Sequence, residues 1–249
     1  WTPRPTPLDG TPGRLANDLS DDNNALGSSR VFEVTPHLID KPILEGGLVN
    51  SALGSLFAYG IQGETSRQSA GFPNRVTPHA FDFDAATRHL ELFNIKHFVA
   101  RWEGTREALR ASSAWRPVAA EQGWELYELT THAGRYVTVA DRTLRAVRVE
   151  DWKDAALRWM AVPAAVKRPW VLVGPSERPP PAAGRVAAAT FLSDLERLKG
   201  APVPGRAPHW VTNSAPVVSE AVDDTRIRFR TNAVGKPHIV KCMYYPNWK

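Results

Sequence analysis

Long apolar runs are missing from this chain. No stretch approaches the roughly 18 consecutive apolar residues that a membrane-crossing helix needs. No segment has the order of charged, apolar and small residues that marks a signal peptide. Cysteine is nearly absent: Cys242 is the single one among 249 residues, so no disulfide can close within the chain. It falls in a β-rich run, where a buried, inert thiol is expected. The seven histidines are scattered at 37, 79, 89, 97, 132, 209 and 238, without the close pairing that zinc sites require, and no metal is assigned. The phosphate-cradling patterns GxGxxG and GxxxxGK followed by Ser or Thr are both missing, and so is the GxSxG elbow of a nucleophilic serine. Basic residues exceed acidic ones by only 31 to 26, a net charge of +5. With no finger-like, helix-turn-helix or RNP-like pattern, nucleic acid is not an expected partner.

What is present is an ordinary globular balance. Hydrophobic residues make up 43% and charged residues 23%, enough to build a sizeable core. Twenty-one prolines point to many rigid connections, and nine tryptophans suit either core filling or sugar stacking, since indole offers a flat apolar face with one polar handle. The pattern reads as α+β: a mixed first part with short helices and a β-rich end. Residues 1–29 read as an irregular lead, 30–175 as the mixed domain, 176–210 as a Pro/Gly-rich linker with one short helix, and 211–249 as a β-hairpin packed on the first part.

Local periodicity supplies the elements. Arg30–Val34 reads as a short strand. Residues 35–79, interrupted by Gly46, Gly47, Gly54, Gly60, Gly63 and Gly71, have poor helical periodicity and read as a long loop-rich segment; its polar candidates are Glu45, Asn50, Glu64 and Arg67. Asp84 can cap a helix running to Asn94, and a strand follows at 95–100. Further helices are expected near 105–111, from Val149 through Met160, and over 190–199, with strands at 124–129, 136–140, 144–149 and 170–173. The acidic run Asp18 to Asn24 lacks EF-hand spacing and reads as a solvated loop. At the end of the chain Ile227 and Phe229 alternate with Arg226, Arg228 and Arg230, which is the period of a strand. With a turn at Val234–Lys236 and a second β-rich run at Ile239–Tyr245, this predicts a hairpin. Pro246 ends it, and the closing Tyr-Tyr-Pro-Asn-Trp-Lys suits either a capped edge strand or a membrane interface.

Three stretches carry a resemblance. Pro237-His-Ile-Val-Lys-Cys-Met-Tyr-Tyr-Pro-Asn-Trp-Lys249 resembles a "PHLVKVSYFPNW" segment. Leu44-Glu-Gly-Gly47 with Asn50-Ser51 is similar to an "E.G..N.S" segment. His89 through Arg101 is similar to an "LLNVKYVV" helix-to-strand segment. All three belong, in this order, to large bacterial multi-spanning membrane proteins related to GT-C-type glycosyltransferases and often labelled 6-pyruvoyl-tetrahydropterin synthase-related. Such proteins carry many spans and this chain has none. The likeness therefore implies an extracytoplasmic domain of a longer parent, whose own transmembrane region would be its partner. It further implies that the parent uses polyprenyl-phosphate sugars to assemble cell-surface polysaccharide or glycolipid. The family's catalytic acid has no matching position here, so no catalytic residue is carried over and no cofactor is expected.

Among the residues themselves, Trp102-Glu103 after the 95–100 strand is the most suggestive pair, because a carboxylate beside an indole can bind or protonate a sugar. Trp102, Glu103, Glu45 and Asn50 are the expected glycan or lipid-linked-sugar contacts. Tyr244, Tyr245 and Trp248 are expected near the membrane. Two other classes stay open: a free-standing secreted carbohydrate-binding or glycoside-hydrolysing domain, and a structural protein-interaction domain.

Overall fold

The computed structural model describes residues 6–44, 55–67, 80–140, 144–166, 170–179, 183–201, 217–223 and 226–242. The fold is α+β. Its contacts gather into two units: residues 1–135 with 241–249, and residues 136–240.

The first unit is built on a four-stranded sheet in the order β1-β2-β4-β3, with β1 at Arg14–Asn17, β2 at Ile95–Ala100, β3 at Trp115–Glu121 and β4 at Trp124–Leu129. β1 and β2 are parallel, while β4 runs antiparallel to both β2 and β3. β1 lies inside the stretch that reads as an irregular lead. Four residues beside a Pro/Gly-rich segment give no alternation to see, and the strand is fixed by its pairing with β2, about eighty positions on. Its outer edge bonds to the following segment, with Leu15 N–H donating to Pro42 O at 2.8 Å and Leu44 N–H to Leu15 O at 2.9 Å. β2 is buried along almost its whole length, as a central strand should be. Phe98 stands on it between Phe83 and Trp115, with ring centroids 5.5 and 6.0 Å away.

Helices α1 (Thr35–Ile39), α2 (Ser55–Thr65), α3 (Phe83–Leu92) and α4 (Glu103–Ala111) complete this unit. Asp82, not Asp84, caps α3, its Oδ1 accepting from Ala85 N–H at 2.9 Å. Asn94, at φ 62°, turns the chain from α3 into β2. The strand expected at Arg30–Val34 is instead a 3₁₀ turn over Val31–Val34, because five residues between turn-forming neighbours have no strand beside them. α2 replaces loop over 55–65: Gly60 and Gly63 lower its intrinsic helix propensity and blur its apolar stripe, yet buried Ala58 and Ile61 anchor it. β3 and β4 turn at Gln122-Gly123, both at positive φ, the backbone a two-residue hairpin of right-handed twist requires.

The second unit holds β5 (Val137–Val139), β6 (Arg145–Arg148), β7 (Trp170–Val173), β8 (Gly184–Val186), β9 (Val217–Val222), β10 (Ile227–Thr231) and β11 (His238–Val240), with α5 at Trp152–Met160 and α6 at Ala188–Leu198. β7-β6-β8 is a wholly parallel sheet. One face of it is covered by α5 and α6, where Val147, Ala155, Val162, Ala165, Phe191 and Leu195 form a core. The expected C-terminal hairpin is corrected. β10 pairs antiparallel with β9, and β11 pairs with β5, so the stretch before β10 supplies its partner and the stretch after it returns to the start of the unit. Val137, Val139, Val217 and Ala233 pack there, with Ile227 against them. Glu220 of β9 closes the edge of β5 by accepting from Tyr136 N–H at 2.9 Å and Val137 N–H at 2.7 Å.

Candidate functional site

β1 and β2 run parallel and end side by side at their carboxyl ends. α4 begins immediately after β2. Trp102 stands at its N-cap position and has no side-chain capping bond of its own. The cap comes from the residue that follows β1. Asp18, 1% exposed, accepts from Trp102 N–H at 2.8 Å and from Arg101 N–H at 3.0 Å. A carboxylate is favoured at a helix N-terminus, where unpaired N–H groups carry positive partial charge. Burial nevertheless pushes the Asp18 carboxyl up to about 6, against the pull of the Trp102 and Arg101 N–H groups and the Thr105 hydroxyl. The acidic run is therefore not a solvated loop throughout. Its first residue is interior, and Asn23, fully buried, accepts from Trp124 Nε1–H at 3.0 Å.

Around this cap lies an aromatic surface. The Trp102 ring folds back over Gly104, so closely that a Cβ there would meet ring carbons at 2.6–2.9 Å. Phe81, 39% exposed, meets Trp102 edge-on at 4.9 Å between centroids. On the flank the Arg101 guanidinium lies 4.9 Å over the Trp124 ring and pairs with Asp22 at 3.0 Å.

The expected acid has another occupation. Both Glu103 oxygens face arginine: one meets Arg106 and the other Arg110, at 3.0 Å in the second case. Arg110 also pairs with Glu125, whose second oxygen accepts from the Tyr127 hydroxyl. A general acid needs an oxygen open to its substrate. Glu103 has both engaged in a surface network that ties α4 to β4.

Of the expected contacts, Trp102 and Glu103 thus stand together at the start of α4. Glu45 and Asn50, and the expected membrane-proximal Tyr244, Tyr245 and Trp248, lie outside the described residues. Glu64 is buried and belongs to a different cluster: its Oε2 is 2.7 Å from His89 Nδ1, between α2 and α3. Phe81, Asp18 and Arg101 are parts of the site that the sequence did not single out. Phe81 alone had a local signal, an aromatic just ahead of a capped helix. Among the described residues no group of three or more His, Cys, Asp or Glu is arranged to hold a metal ion, and no helix is long and apolar enough to cross a membrane. The chain matches no protein-family model, no curated protein and no solved structure.

Proposed function

We propose that this chain is a glycan-contacting domain, not catalytic on its own, of an extracytoplasmic GT-C-like membrane protein that assembles cell-surface polysaccharide or glycolipid. The observation that carries the contact reading is the Phe81–Trp102 pair at the carboxyl end of β1 and β2. Aromatic faces bind the apolar faces of sugars, and neighbouring polar groups orient them. The carboxylates beside the pair are occupied, Asp18 with main-chain N–H groups and Glu103 with arginines, which favours contact over hydrolysis. The parent assignment rests on the likeness of the three segments named above.

Titrating the chain with a panel of short neutral and N-acetylated oligosaccharides, followed by tryptophan fluorescence and amide chemical shifts, tests the contact reading. Saturable binding is expected, weakened roughly three- to tenfold by Trp102→Ala, the scale of one aromatic contact, and little changed by Glu103→Gln. Binding indifferent to both Trp102→Ala and Phe81→Ala, or no binding at all, overturns it. The parent assignment has its own test. An antibody to this chain should detect a native band well above 27.5 kDa that needs detergent for extraction; a detergent-independent band near that mass overturns it.

A further inference from the structure

The second unit carries a cleft that the glycan reading leaves unused. Along β6 successive side chains face opposite sides of the sheet. Val147 enters the core under α5 and α6, so Ala146 and Arg148 face the other side. The parallel register sets Arg185 of β8 beside Ala146, and Val173 of β7 beside Arg148. The two arginines therefore share one face, a strand and two residues apart, about 8 Å between Cα atoms by strand geometry. On this face lies a cleft of about 180 Å³ lined by Ala146, Arg148, Val173, Pro179, Arg185 and Val186.

Arg148 is fixed in position. Its Nη1 donates to Gly174 O at 2.7 Å and to Pro175 O, and its Nη2 to Glu177 O at 2.9 Å. These carbonyls use three of the five guanidinium donors and carry no formal charge. The one acid on that loop, Glu177, turns its Oε2 to Gly174 N–H at 3.0 Å. Among the described residues neither Arg148 nor Arg185 forms a salt bridge with a carboxylate. Two guanidiniums without a carboxylate partner among the described residues, one of them held by three carbonyls, border an apolar floor of Ala146 and Val173, with Val186, in register with Val147, at the cleft's edge.

We infer that this cleft binds a small organic oxyanion, a carboxylate or a phosphate ester, with a body of a few carbon atoms. The guanidinium fork matches both kinds of oxyanion, the floor accepts the carbon body, and the volume is about that of six liquid waters. The site is independent of the Phe81–Trp102 surface.

The whole chain is titrated with glycerol phosphate, butyrate and, as the neutral control, glycerol. Heteronuclear NMR follows the resonances of Ala146, Val173 and Val186. The two anions are expected to shift these resonances saturably and less strongly in high salt, and whichever binds tighter identifies the oxyanion preferred. Arg185→Gln, on an exposed edge strand, should weaken binding about tenfold, as expected for one charge-assisted contact, with the melting temperature unchanged. Arg185→Lys should restore part of the affinity. Equal binding by Arg185→Gln and the parent chain, glycerol binding as well as its phosphate, or no shift at these three lining residues overturns the proposal.

Discussion

His132 shows how strongly the interior of the first unit dictates the state of a single group. Its Nε2–H donates to Ile95 O at 2.7 Å and its Nδ1 accepts from Gly134 N–H at 3.0 Å, so the neutral ring fits and an added proton would face an N–H. Burial first, and then the nearby Lys241 ammonium, lower its pKa to about 3. A histidine with a depressed folded pKa contributes stability that is present above its unfolded value of about 6.5 and is lost as pH falls towards the folded one. His132→Ala should therefore cost about 2–3 kcal/mol near pH 8, the scale of a buried polar group with both partners orphaned. The gap between variant and parent should narrow between about pH 6.5 and pH 3, read from urea unfolding at a series of pH values. Asp18 runs in the opposite sense. Its carboxyl, raised to about 6, favours the folded chain most in acid, and that advantage is lost as pH rises through 6. Asp18→Asn, of the same shape and without charge, should gain on the parent from about pH 4 to pH 6 and then level off. A constant difference across that window would contradict the burial argument.

Between elements, long-range polar contacts join what apolar packing brings near. Glu64 of α2 and His89 of α3 form a buried pair. Removing one partner leaves a buried polar atom of the other without its hydrogen bond, at a cost of about 1–3 kcal/mol, so Glu64→Leu should lower unfolding stability by that amount and loosen amide protection in α2 and α3 first. Gly104→Ala is expected to separate two effects. Alanine favours the helix by about 1 kcal/mol, so α4 should hold or gain stability, while the displaced Trp102 ring should lose its emission environment and any oligosaccharide binding. Gly13 and Gly134 show a closer fit. Both have positive φ, and a Cβ on Gly13 would lie 2.7 Å from Lys96 Cβ.

The elements legible in the sequence are those whose signal is local. The alternation of Trp124–Leu129 marks β4, the compact run of 95–100 marks β2, and the helical spacing of Trp152, Ala155, Ala156 and Trp159 marks α5. The illegible ones depend on distant partners. β1 needs β2, α2 survives two glycines through packing, and although Val217–Val222 with a turn at Asp223-Asp224 reads as the start of the β finish, local pattern assigns Ile227–Thr231 to the run after it and not to β9, with which it pairs. The site divides in the same way. Trp102-Glu103 was visible as a dipeptide, whereas Asp18 reaches it across 84 positions and nothing near Asp18 announces this.

For the whole molecule the consequence lies in the connectivity. The first unit is interrupted at Arg135 and resumed at Lys241, whose ammonium donates to Glu91 O at 3.3 Å. Lys241→Met should destabilise the first unit and leave amide protection in β5–β11 as it was, as seen by hydrogen exchange. The second unit begins and ends on paired strands, with Val137 and Val240 as register partners, so its entry and exit lie a strand spacing apart, about 5 Å. A chain made from its amino end outward meets these facts in sequence. When Val240 has been added every residue of the second unit has been made, while Lys241 and the residues after it have not. Once the second unit is folded, the pairing of β5 with β11 holds the two points where it joins the first unit about a strand spacing apart, so the insertion acts as a clasp on the chain it interrupts.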